Sequence, residues 1–165
     1  MANAKAEQER PSSGGMTPVP MAKPVMSQTR VIYGDTDMMG VAYYGNYLRW
    51  FEMGRNELIR ARGMTYRQFE ERGLILPVAE VAVKYLKSAH YDDLLEVLTR
   101  VTEMGRVRVS FEYEIWRAVT PATESEPAKG ERELLATGVT VHACLGKADG
   151  KPTRIPDDVA ELLRH

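Results

Sequence analysis

The hydrophobic rhythm of the chain changes twice. Gln28 to Tyr33 is a short run rich in β-branched and aromatic residues that ends at Gly34, which predicts a strand. Gly34 to Gly40 has the composition of a turn. From Tyr44 to Arg62 the rhythm becomes helical: no proline interrupts it, and Tyr44, Tyr47, Leu48, Phe51, Leu58 and Ala61 form an apolar stripe. Arg49, Glu52, Asn56 and Arg60 fall on other faces. Gly63 stops this helix, with Arg60 and Arg62 in the last turn, where cations suit the dipole. A short second helix is predicted from Thr65 to Glu71, closed by Gly73.

Beyond Pro77 the rhythm turns to alternation. Ala79, Val81, Val83 and Tyr85 alternate with Glu80, Ala82 and Lys84. Leu94 to Glu103 is a second strand with weaker alternation. Arg106 to Arg117 is the clearest, with Val107, Val109, Phe111, Tyr113 and Ile115 on one face and charged or polar residues on the other. Residues 118–131 read as a loop, carrying Pro121, Pro127 and Gly130. Arg132 to Leu145 is a further strand, Lys147 to Pro152 a turn, and Pro156 to Leu163 a short helix with Asp157 and Asp158 in its first turn. Strand, long helix and four more strands predict an α+β domain, one helix packed on an antiparallel sheet of about five strands. One sheet and one helix bury little core alone, so a homo-oligomer is expected.

Composition narrows the partners. The chain has 165 residues, 44% hydrophobic and 27% charged, with a net charge of −1. That length suits one domain. The balanced charge argues against a nucleic-acid partner and against a polybasic membrane anchor. The single cysteine, Cys144, rules out an intramolecular disulfide and a cysteine-based zinc site. The N-terminal region carries Pro11, Ser12, Ser13, Gly14, Gly15, Pro18, Pro20 and Pro24, too little apolar surface to offset the entropy of ordering. A disordered tail is expected over 1–26 and a folded domain over 27–165. No apolar run of signal-peptide length occurs there, so membrane insertion and secretion are not expected, and the location read from the sequence is cytoplasmic.

The candidate chemistry sits at the strand-to-helix junction, in Asp35 and Asp37. A carboxylate before a helix has two readings. It can cap free N–H groups at the positive end of the dipole. It can also act on a carbonyl that those same unpaired donors polarise, as nucleophile or as base for water. Local features leave both open.

The run Tyr33-Gly34-Asp35-Thr36-Asp37-Met38-Met39-Gly40-Val41-Ala42-Tyr43-Tyr44-Gly45-Asn46-Tyr47 resembles the signature of 4-hydroxybenzoyl-CoA thioesterases and of the related thioesterase of the Tol-Pal gene cluster, approximately D-x-D-x-x-G-x-x-x-x-x-N/S-Y before an amphipathic helix. Leu48 to Glu52 continues the likeness, and Ala89 to Val97 resembles the family's Tyr-Asp-Asp turn into the next strand. The similarity spans about residues 28–145. It implies the hotdog fold, a long central helix wrapped by a curved antiparallel sheet, in homodimers or homotetramers with the ligand near the helix N-terminus. It implies acyl-CoA hydrolysis without a cofactor or metal; the alternatives are acyl carrier protein as the carrier, or a non-catalytic acyl-CoA-binding or scaffold protein, against which the intact Asp37 motif speaks. By motif position Asp37 is the catalytic carboxylate, nucleophile or general base, and the backbone N–H near Tyr44 polarises the thioester carbonyl.

Weaker assignments surround these. Asp35 organises the turn, and Gly40 answers a backbone requirement. Asn46 bonds the loop or the substrate. Tyr43, Tyr44 and Tyr47 line an acyl pocket or belong to the core. His90 is a candidate CoA contact, and Lys84, Lys87, Arg106 and Arg108 are candidates for a charged rim that holds phosphates. His142 has no carboxylate or serine at informative spacing, and Cys144 reads as a small buried hydrophobe. No G-x-S-x-G elbow, metal-ligand constellation or phosphate loop is present.

Overall fold

The computed structural model describes residues 15–20, 22–119 and 130–165. Its main sheet is antiparallel throughout. The strands are β1 (Thr17–Pro18), β2 (Val25–Arg30), β4 (Val78–Tyr85), β5 (Leu94–Met104), β6 (Arg108–Arg117) and β7 (Glu133–Ala143). β6 lies between β5 and β7, β4 pairs with the far side of β7, and β1 and β2 share the far side of β5. A separate small ladder joins β3 (Leu74–Ile75) to β8 (Leu145–Gly146). The helices are α1 (Asn46–Ala61), α2 (Tyr66–Glu71) and α3 (Asp157–Arg164). The expected α+β plan is therefore present, with a two-residue sixth strand added at one edge.

The strands follow the period of two that a half-buried sheet imposes. In β5, Leu95, Val97, Thr99 and Val101 are buried and their neighbours are not; a bulge between Val101 and Glu103 shifts the phase so that Met104 is buried too. In β6, Val109, Phe111, Tyr113 and Ile115 are fully buried, as their alternation predicts. Helix α1 lies against β2, β5 and β6. Its buried face is rotated from the expected stripe. Tyr47, Phe51 and Leu58 are inside, but so are Trp50, Gly54, Arg55 and Ile59, while Tyr44, Leu48 and Ala61 are exposed. The reason is Gly54. A Cβ there would overlap Thr99 Oγ1 and come within 2.9 Å of Val97 Cγ1, so the bare backbone at 54 sets the closest approach of helix to sheet.

Ordered structure begins earlier than the expected boundary at residue 27. β2 starts at Val25, and Thr17–Pro18 pairs with Glu103 and Met104. Val19 N–H donates to Thr102 O at 2.8 Å and Thr17 Oγ1 to Met104 O at 3.1 Å. Pairing at an edge uses main-chain groups and tolerates proline, so low apolar content does not prevent it. Residues 1–14 of the expected tail lie outside the described residues, as do residues 120–129 of the expected loop. Helix α3 is docked by Val159, Ala160 and Leu163, by the Arg72–Asp158 ion pair (2.7 Å), and by Arg62, which donates to the carbonyls of Leu162 and Leu163. Cys144 is fully buried in the core. Among the described residues no helix is long and apolar enough to cross a membrane.

Candidate active site

The junction between β2 and α1 is built by two aspartates with different tasks. Val31 anchors the end of β2 in the core, and a single 3-10 turn follows, Tyr33–Asp35. Asp35 is 5% exposed and closes this turn: its Oδ2 accepts from Ile32 N–H at 3.1 Å, and its own N–H donates to Ile32 O at 2.9 Å. Its carbonyl accepts from Tyr43 N–H and from Asn46 Nδ2, both at 2.8 Å, and its Oδ1 lies 3.4 Å from Arg49. Asp35 is thus spent on the loop, and Asn46 is spent with it.

Asp37 opens the next turn. Its N–H donates to Val41 O at 2.9 Å, and Gly40 N–H donates back to Asp37 O at 3.0 Å. Gly40 has φ +75°, a conformation that favours glycine. Asp37 Oδ1 accepts from Met39 N–H at 2.8 Å. Its Oδ2 has no protein donor among the described residues. Neither aspartate caps α1. The residue before that helix is Gly45, which supplies no side-chain cap. Asn46 N–H donates to Tyr43 O and Leu48 N–H to Gly45 O, whereas the N–H groups of Tyr44 and Gly45 have no protein acceptor among the described residues. Of the two readings of a carboxylate in this position, capping of α1 is therefore not realised, and uncommitted donors remain at the helix entrance.

Asp37 and Tyr44 share one open cleft of about 270 Å³. Asp37, Met39, Val41, Ala42, Tyr44 and Tyr47 line one side; Tyr85, Leu86, Lys87 and Ser88 line the other. Tyr47 is both core and cleft: it is 2% exposed, and its hydroxyl accepts from Ala89 N–H at 3.1 Å, which pins the second wall to α1. Tyr85 packs edge-on against Tyr47, with ring centroids 5.1 Å apart. Burial holds the phenols of Tyr47 and Tyr85 above the ordinary tyrosine range, so both keep their protons. The Lys87 ammonium pairs with Glu133.

The structure thus brings Asp37, Tyr44, Tyr47 and Lys87 together. Tyr43, Asn46 and His90 do not line the cleft. Tyr43 leans on the Tyr44 ring (4.5 Å) and is 45% exposed. His90 Nδ1 faces Arg117 at 3.2 Å and Asp93 at 3.9 Å. The four basic candidates do not form one rim. Arg108 pairs with Glu80 at 3.3 Å and sits opposite Ala143, whereas Tyr85 sits opposite Ala136. Seven residues of strand separate the two places, about 23 Å. Tyr85, Leu86 and Ser88 are cleft residues that sequence reasoning did not single out, because no spacing relates them to the aspartate motif. Among the described residues no group of His, Cys, Asp and Glu is arranged to hold a metal.

With this geometry in view, residues 31–163 match the Thioesterase-like superfamily. The acyl-CoA thioesterase YbgC of Haemophilus influenzae is 33% identical over 138 residues, 82% of this chain and 91% of that one. The crystal structure of the DHNA-CoA thioesterase of Staphylococcus aureus superposes with a TM-score of 0.72 at 33% identity, over 84% of this chain and 87% of that one. A 4-hydroxybenzoyl CoA thioesterase superposes with a TM-score of 0.72 over 85% of this chain and 98% of that one; at 24% identity it speaks for the fold alone. The helix packed on an antiparallel sheet is the hotdog fold, and the chain belongs to the Thioesterase-like superfamily.

Proposed function

We propose that this chain is a thioester hydrolase acting on acyl-CoA, with Asp37 as its carboxylate and the Tyr44 N–H as donor to the thioester carbonyl. One observation carries the reading: Asp37 and Tyr44 line the same cleft, each with an uncommitted group, Oδ2 on one and N–H on the other. Hydrolysis of a thioester needs those two things. The carbonyl oxygen gains negative charge as the tetrahedral centre forms, and a preorganised amide stabilises it. The carboxylate attacks the carbonyl carbon directly or takes a proton from the water that does. The carbon–sulfur bond then breaks, water supplies the hydroxyl of the acid, and the sulfur ends as a thiol. A thiol pKa of about 8.5 makes the thiolate a good leaving group without a dedicated acid. The reaction draws on no cofactor. Relatives named as acyl-CoA and DHNA-CoA thioesterases support the carrier.

A second copy of the chain completes the site. β4 forms an edge of the sheet, with one side unpaired among the described strands. Val78, Val81, Tyr85 and Leu86 on and after it are exposed, as are Met38, Met39, Tyr43 and Tyr44 in the segment before α1. An apolar region of this kind beside a bare strand edge is a surface for association, and pairing of two β4 edges would cover it.

The test is turnover of acetyl-, hexanoyl-, palmitoyl- and benzoyl-CoA followed by free-thiol release, for the wild type and Asp37→Asn. The variant should fold and lose at least about 100-fold in kcat. Wild-type rates in Asp37→Asn would remove Asp37 from the chemistry.

A further inference from the structure

We infer that Tyr85 is a positioning residue for this reaction: its hydroxyl tethers the Tyr44 carbonyl and so fixes the residue whose amide meets the substrate. The inference rests on the reading of Tyr44 given above. Tyr85 is the last residue of β4, and its hydroxyl donates to Tyr44 O at 3.0 Å across the cleft. That carbonyl stands outside the helical ladder. The N–H four residues on, at Leu48, bonds Gly45 O instead, so among the described residues Tyr85 is the partner of the Tyr44 carbonyl. Otherwise residue 44 is held through its neighbours: Tyr43 N–H donates to Asp35 O, Tyr43 O accepts from Asn46 N–H, and Gly45 O accepts from Leu48 N–H. Among the described residues Tyr85 is therefore the partner that holds the main chain of residue 44 directly. The Tyr85 ring cannot swing freely, because it meets the Tyr47 ring at 5.1 Å and the Tyr44 ring at 6.5 Å, both edge-on. Tyr47 is in turn fixed by Ala89 N–H. Burial also keeps the Tyr85 phenol protonated, as a donor must be. A donor contributes to transition-state stabilisation only while it is held in place, since a freely moving one must be reordered at each turnover.

Tyr85→Phe keeps the ring and deletes the tether. The full-length variant, assayed with the same four acyl-CoA substrates, should show kcat lowered roughly tenfold and KM within about twofold of wild type. Thermal unfolding should be little changed. Amide hydrogen exchange at Asn46 and Leu48, whose N–H groups bond the carbonyls on either side of residue 44, should be several-fold faster. The inference is overturned if kcat stays within about twofold of wild type, if KM rises while kcat is unchanged, or if exchange at Asn46 and Leu48 does not move. Asp37→Asn run in parallel separates the two ideas. If it hydrolyses acyl-CoA as the wild type does, the reading of the site is lost, while the exchange measurement still decides whether the hydroxyl holds residue 44.

Discussion

Asp35 and Asp37 show how two residues of one type, two positions apart, take different work. The 3-10 turn carries Asp35 inward, where its oxygens meet Ile32 N–H and Arg49. The turn at 37–41 leaves Asp37 half-buried on the cleft wall with one oxygen uncommitted. The division of contacts is local in origin, since each aspartate bonds within its own turn. Gly54 is the opposite case. Its packing partners, Val97 and Thr99, are more than forty residues away, so nothing beside it in the chain marks it as special. Gly54→Ala places a methyl group against Thr99 Oγ1 and Val97 Cγ1. Overpacking of this kind costs about 1–3 kcal/mol, more than the helix propensity gained, about 1 kcal/mol. Thermal or urea unfolding should register a net loss of stability, and an unchanged midpoint would mean that α1 sits further from the sheet.

At the scale of elements, one arginine adds to the ties that hold the second wall of the cleft, among them Leu86 and Lys87 N–H to Leu135 O. Arg117, on β6, donates to Asp93 Oδ2 at 2.9 Å and to Ser88 O at 2.8 Å, and it also pairs with Glu133. The segment after β4 is therefore tied to the middle of the sheet as well as to Tyr47. β4 itself has a tied side, along β7, and a bare one. Val81 lies in its middle and is 47% exposed. Val81→Lys puts a charge on that edge, the device by which natural sheets resist association. If a second copy pairs along that edge as proposed, sedimentation velocity should show a shift from dimer to monomer and activity should fall. A monomeric wild type of full activity would refute completion of the site by a second copy.

At the scale of the whole molecule, one chain of polar groups crosses the core. Arg55 on α1 donates to the Tyr113 hydroxyl (3.4 Å). The Tyr113 hydroxyl and Thr140 Oγ1 are 2.9 Å apart, Thr140 Oγ1 and His142 Nε2 2.9 Å, and His142 Nδ1 and Leu76 O 2.8 Å. Leu76 O can only accept, so Nδ1 carries the hydrogen. Nε2 then accepts from Thr140, and each hydroxyl donates onward in one direction from Arg55. The arrangement requires a neutral imidazole. Burial, with the Arg55 charge as a second cause, lowers the His142 pKa to about 4. His142 is fully buried. A histidine freed by unfolding titrates near 6.5, so between those values the unfolded chain binds the proton that the folded one refuses. The stability contributed by neutral His142 is complete above about pH 6.5 and is lost as pH falls toward about 4, of order 3 kcal/mol in all. Urea unfolding of the wild type and His142→Gln at pH 7 and pH 4 should show a steeper loss for the wild type. Equal losses would mean that the imidazole is not held neutral.

The sequence by itself determined the elements and the turn that carries Asp37, because both are short-range properties. Alternation, helical spacing and the D-x-D-x-x-G turn are written within runs of ten to twenty residues, and the positive φ at residue 40 favours its glycine. The tertiary structure alone decided which face of α1 is buried, since that depends on where Gly54 lets the backbone approach the sheet. It alone set Tyr85, Leu86 and Lys87 opposite Asp37 and dispersed the basic candidates. It also drew Thr17–Pro18 onto the edge of β5 and made His142 part of a core network. Each of these rests on contacts between residues far apart in the chain, and such contacts leave no period and no spacing to read.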